Sequence, residues 1–130
     1  MNRVKGKVSR LLEDGNFSLL QLETEVGELH LLLIKSHNDF IQEGKCVSAL
    51  FGHASVKIFK EMSLASSLEN IIRCRVESIS RGKILSTVRL SCKDGKVESY
   101  LTNISLEKIK IQEDQEVYIA ISAFDIMIEV

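Results

Sequence analysis

Polar and apolar residues alternate along most of this chain, the two-residue period of strands half-buried against a core. Lys5-Gly6-Lys7-Val8 and Arg73-Cys74-Arg75-Val76 show it, and Ile84, Ser86, Val88 and Leu90 continue it through another segment. Asp94-Gly95 is a hairpin signal between Val88–Cys92 and Val97–Leu101. Val26-Gly27-Glu28 is expected to make the corresponding turn earlier in the chain. Leu29 to Ile34 is almost continuously apolar, so this strand is expected to be buried on both faces or to lie at an interface. Thr102 to Ile109 predicts one short helix, with Asn103 or Ser105 as candidate cap. Ser36 to Ile41 predicts a second, capped by Ser36 or Asn38.

These pieces occur twice in the same order. Asn2-Arg3-Val4-Lys5-Gly6-Lys7-Val8 aligns with Asn70-Ile71-Ile72-Arg73-Cys74-Arg75-Val76, and a turn glycine follows each, Gly15 and Gly82. Ile41-Gln42-Glu43-Gly44-Lys45-Cys46-Val47 aligns with Ile111-Gln112-Glu113-Asp114-Gln115-Glu116-Val117. Each copy ends in apolar strands, Val47 to Phe51 with Val56 to Phe59, and Val117 to Ile121 with Ile126 to Val130. The expected fold is all-β: two tandem OB-like small Greek-key barrels, each with one short helix. Their expected spans are residues 1–61 and 66–130, linked around Lys60 to Ser67.

Composition narrows the function. With 17 basic and 18 acidic residues the net charge is −1, and aromatics are 5% with no Trp. A nucleic-acid binder normally carries a basic excess and stacking aromatics, so that class is disfavoured. The three cysteines, Cys46, Cys74 and Cys92, lack CxxC spacing and read as buried free thiols in a reducing compartment. The first residues form no apolar signal core, and no apolar run is long enough to span a bilayer. A soluble cytoplasmic protein without membrane insertion is the expectation. No glycine-rich phosphate loop, nucleophile motif or metal-ligand spacing is present, which argues against an enzyme and a metal site.

Ser67-Leu68-Glu69-Asn70-Ile71-Ile72-Arg73-Cys74-Arg75-Val76 resembles the opening strand of a Mop (TOBE-type) domain, which typically reads S-A-R-N-x-L-x-G-x-V. Thr102-Asn103-Ile104-Ser105 resembles the family's T-x-x-S, and Glu116 to Ile126 resembles its closing V-x-A-x-I-K-A-S-S-V. In the first copy, Lys5 to Val8 and Val47 to Val56 fit the same places. Two such modules in one chain resemble the di-Mop, molbindin-like proteins. The resemblance implies binding of molybdate or tungstate, no organic cofactor, and assembly as a homo-oligomer, a trimer ahead of a dimer.

A tetrahedral dianion calls for hydroxyl and backbone N–H donors, usually with one or two cations. By resemblance the candidate ligands are Ser67, Asn70, Thr102, Asn103, Ser105 and Ser122, with Lys35, Ser36 and Ser55 from the first copy. The family's cations are replaced here. Glu69 stands in place of its arginine and Met1 at the matching place in the first copy. Ser122 stands in place of the final-strand lysine, Phe124-Asp125 replace a serine pair, and Gly52-His53 occupy the lysine–alanine places of the first copy. Of the three histidines, His37 and His53 are possible donors, whereas His30, inside an apolar strand, reads as packed or interfacial. Thr102, Asn103 and Ser105 have an equally good reading as helix caps. The expected function is oxyanion binding for storage, buffering or sensing. The alternative is a non-catalytic TOBE-type module that docks on a transporter or regulator after losing anion binding.

Overall fold

The computed structural model describes residues 1–34, 41–62 and 66–130. Among them are ten strands: β1 Asn2–Asp14, β2 Phe17–Thr24, β3 Gly27–Ile34, β4 Cys46–Phe51, β5 Lys57–Phe59, β6 Asn70–Arg81, β7 Leu85–Cys92, β8 Gly95–Thr102, β9 Glu116–Ile121 and β10 Ile126–Glu129. One α-helix, α1 (Asn103–Ile109), follows β8, and 3₁₀ turns occupy His53–Ser55 and Ala123–Asp125.

The strands form two five-stranded antiparallel sheets, ordered β10-β4-β1-β2-β3 and β5-β9-β6-β7-β8. Each sheet takes its fifth strand from the other half of the chain. Ile126 and Met127 of β10 lie opposite Phe51 and Leu50 of β4, while Lys57 and Ile58 of β5 lie opposite Ala120 and Ile119 of β9. The sheets therefore cut across the stretches 1–61 and 66–130. The closing strands Val56–Phe59 and Ile126–Val130, which follow β4 and β9 in sequence, pair across the chain.

The alternation places Val4, Val8, Leu20, Leu22, Leu29 and Leu31 inward in the first half. Ile72, Val76, Val88, Leu90, Val97, Val117, Ile119 and Ile121 do the same in the second, and the buried residues form one continuous cluster. Each first strand breaks register at an equivalent place, between Val8 and Arg10 and between Val76 and Ser78. Such bulges bend a strand and let one long strand serve two neighbours of a curled sheet. The same backbone bonds hold both bends: Val8 N–H to Lys45 O (2.9 Å) with Gly44 N–H to Val8 O (2.7 Å), and Val76 N–H to Gln115 O (2.9 Å) with Asp114 N–H to Val76 O (2.7 Å).

The hairpin loops are Glu25-Val26 and Lys93-Asp94, so Gly27 and Gly95 open the following strands. The two tips meet, with Asp94 N–H donating to Glu25 O at 2.9 Å. A Cβ on Gly95 would lie 2.7 Å from Val26 Cγ1, so only glycine lets the tips approach this closely. In the apolar run of β3, Leu29 and Leu31 are buried, Leu32 and Leu33 are half-buried, and Ile34 is exposed.

The local expectations for the helix cap and the cysteines are corrected in part. Of the caps read for α1, Thr102 takes the role, its hydroxyl accepting the Ser105 N–H at 3.2 Å, and Asn103 and Ser105 do not. Asn103 instead donates from Nδ2 to Gly82 O at 2.9 Å and pairs with the Ser86 hydroxyl, pinning the turn before β7. Cys74 and Cys92 are joined in a disulfide, and Cys46 is exposed on the outward parity of β4. Neighbouring strands bring Cys74 and Cys92 face to face although 18 positions separate them, a proximity that linear spacing conceals. That pairing removes the cysteine count from the argument about compartment. The helix expected at 36–41 falls mostly outside the described residues.

Candidate functional site

The strand exchange places the start of each half against the third strand of the other. Asn2 donates from Nδ2 to Glu98 O at 2.9 Å and accepts the Glu98 N–H at Oδ1 at 2.8 Å. Asn70 makes the same pair of bonds with His30: Nδ2 to its carbonyl at 2.8 Å and Oδ1 from its N–H at 2.6 Å. Asn70 Nδ2 also reaches Ile121 O at 3.1 Å. Both asparagines are buried. Buried amides are stable only with their hydrogen bonds made, and each of these spends both ends of its amide on one residue's backbone. The two halves are thereby clasped by a repeated, pseudo-symmetric device.

Beside each clasp a 3₁₀ turn packs on the opposing strand. His53 lies in a cleft of about 500 Å³ that is lined also by Met1, Asn2, Arg3, Arg89, Lys96 and Glu98. Its ring meets Tyr100 edge-on at 4.5 Å, and its Nε2 lies 3.9 Å from Glu98 Oε2. Arg89 pairs with Glu98 at 3.0 Å, Lys96 with Glu77 at 3.1 Å, and Arg3 with Glu129. Sequence reasoning did not single out Arg3, Arg89 or Lys96, which lie on three different strands. At the other clasp, the Ala123 N–H donates to Glu69 Oε1 at 3.0 Å, and the Phe124 N–H donates to Ser122 Oγ at 3.2 Å.

The structure divides the proposed ligands among separate places. Thr102 and Ser105 are together, with their hydroxyls 3.2 Å apart at the start of α1. Asn70 and Ser122 sit at the second clasp, the former bonded to the residue before the latter. Ser67 is exposed before β6, and Ser55 ends the 3₁₀ turn that carries His53. Among the described residues no hydrogen bond joins Thr102 or Ser105 to Ser67, Asn70 or Ser122. Lys35, Ser36 and His37 lie outside the described residues. His30 is half-buried, with its backbone at the clasp.

The Arg73 pKa is raised by its hydrogen bond and charge interaction with Glu116, on an exposed strand face. Among the described residues no three His, Cys, Asp or Glu side chains converge as a metal ion would need. No helix among them is long and apolar enough to cross a membrane.

Residues 66–128 match the TOBE domain family. The first half repeats its strand order. Over nearly its whole length the chain is similar to a solved structure of the cytoplasmic molybdate-binding protein ModG with molybdate bound. The TM-score is 0.92 at 22% identity, covering 99% of this chain and 95% of that one. At that identity the likeness establishes the fold, a pair of OB-like barrels. No curated protein sequence matches the chain.

Proposed function

We propose that this protein reversibly binds a tetrahedral oxyanion, molybdate or tungstate, in the cytoplasm, without catalysing a reaction on it. The observation that carries this reading is the end-to-end likeness, at a TM-score of 0.92, to a cytoplasmic protein solved with molybdate bound. The TOBE match over 66–128 supports it independently. Storage, buffering or sensing of the anion is the corresponding role, with neither an organic cofactor nor a nucleic-acid partner. Thr102, Ser105, Ser67 and Ser55 remain the candidate hydroxyl donors.

Self-association belongs to this reading, as a trimer ahead of a dimer. It is supported by Leu12, Phe17, Leu19 and Ile34, which are exposed on the outer face of β1–β3. Three of the matching positions in the second half are the polar Ser80, Thr87 and Thr102. The second reading, a TOBE-type module that docks on a transporter or regulator, is favoured by Glu69 and Ser122 standing in place of the family's cations.

Calorimetric titration with molybdate, tungstate and sulfate, alongside the mass in solution, separates the two. Binding of the first two with sulfate ignored is expected. No heat and no thermal stabilisation at millimolar anion would leave only the docking module.

A further inference from the structure

The surroundings of the two asparagine clasps are related by the repeat, yet they differ in charge. The cleft at Asn2 gathers Arg3, Arg89 and Lys96 against one carboxylate, Glu98, with His53 beside them. The matching positions at the Asn70 clasp are Ile71 for Arg3, Gln21 for Arg89, Glu28 for Lys96, His30 for Glu98 and Ala123 for His53. Glu69 there answers Met1. Three cations, paired with Glu129, Glu98 and Glu77, thus stand on one side, where the matching places hold two carboxylates and no lysine or arginine.

A second observation concerns occupancy. At the Asn70 clasp, Glu69 Oε1 already accepts the Ala123 N–H at 3.0 Å. The chain's own carboxylate thus already takes a backbone donor of the turn beside that clasp. The matching residue at the Asn2 clasp is Met1, whose thioether side chain brings no charge and only a weak acceptor.

We propose that the two clasps have diverged: the cleft at Asn2 takes the oxyanion through Arg3, Arg89 and His53, and the place beside Asn70 is closed to anions by Glu69 and Glu28. This rests on the oxyanion-binding reading above and supplies the cations which that reading lacks. A dianion is drawn to exposed cations that can change partners and repelled where carboxylates stand without them. The ion pairs of Arg3, Arg89 and Lys96 do not block it. Their side chains are 57%, 52% and 67% exposed, and pairs of this kind contribute little and exchange partners readily. An oxyanion bridging two guanidinium groups receives several charge-assisted hydrogen bonds in place of one. His53, with a side chain only 17% exposed, stands against the same wall and adds a ring N–H.

His53 lies on the turn beside Asn2 and His30 on the strand clasped by Asn70, so they report on the two places separately. The full-length protein is titrated with molybdate while both imidazole signals are followed by NMR, and calorimetry gives the stoichiometry. One anion per chain is expected, moving the His53 signals and leaving those of His30 in place. Replacing Arg3→Ala together with Arg89→Ala is expected to weaken binding at least tenfold with the thermal midpoint of the free protein little changed. Glu69→Gln is expected to retain the wild-type affinity. If molybdate binds while His53 stays unmoved and the arginine replacements are without effect, the anion lies elsewhere. The cleft assignment then fails and oxyanion binding stands. If the wild-type protein binds neither molybdate nor tungstate, both fail together.

Discussion

Asn2 and Asn70 look unremarkable as side chains, yet each is one of a few buried polar groups among the described residues. Their value lies in geometry: a carboxamide presents one donor and one acceptor at the spacing of a backbone N–H and C=O, so it can cap a strand edge as another strand would. Asn70 uses both ends on His30 and shares its donor with Ile121 O. Removing it leaves buried backbone groups without partners, at about 1–3 kcal/mol for each that water cannot reach. Asn70→Ala is therefore expected to lower the unfolding free energy by at least about 2 kcal/mol, measured by urea denaturation. A change too small to resolve would show that water replaces the amide and that the clasp is dispensable.

Among the strands, the pairs β1–β2 and β6–β7 solve one packing problem in two ways. Gly6 lies opposite Thr24 in the first pair, where an added Cβ would come within 2.8 Å of Thr24 Cγ2 and 2.9 Å of Glu23 O. The matching residues of the second pair are Cys74 and Cys92, with Cα atoms 4.5 Å apart and bonded through sulfur. Close approach is thus met by the absence of a side chain in one half and by a covalent link in the other. A link across 18 residues restricts the unfolded chain, worth about 3 kcal/mol on a chain-entropy argument. Adding a reductant should lower the urea midpoint of the wild-type protein and leave that of a Cys74→Ala, Cys92→Ala variant unchanged. Equal midpoints with and without reductant in the wild type would remove the disulfide from the account of stability.

At the scale of the whole molecule, the exchange of β5 and β10 makes the two barrels interdependent. The Ser99 hydroxyl donates to Val56 O at 2.8 Å, tying β8 to the segment that enters from the other half. Residues 1–62 alone would lack β10, leaving one edge of β4 unpaired, and a bare edge strand invites aggregation. Residues 66–130 alone would lack β5 in the same way. Produced separately, the halves are expected to be poorly folded by circular dichroism and to regain β structure when mixed. Two halves that fold cooperatively on their own would show the exchange to be ornamental. The cation-lined cleft depends on the same exchange, because His53 arrives on the crossing segment while Arg89, Lys96 and Glu98 belong to β7 and β8.

The alternation of residues, the turn signals and the internal repeat were enough to specify the strands, the fold class and the helix after β8, because these depend on neighbours within a few positions. The T-x-x-S at Thr102 was visible for the same reason, as was the recurrence of Asn2 at Asn70. Tertiary structure alone decided which strand completes which sheet, since the partners of β5 and β10 lie in the other half of the chain. It also decided the Cys74–Cys92 bond and the gathering of Arg3, His53, Arg89 and Lys96, whose proximity depends on strands far apart in the chain. Local pattern determines which way a side chain points. Only the pairing of distant strands determines what it meets.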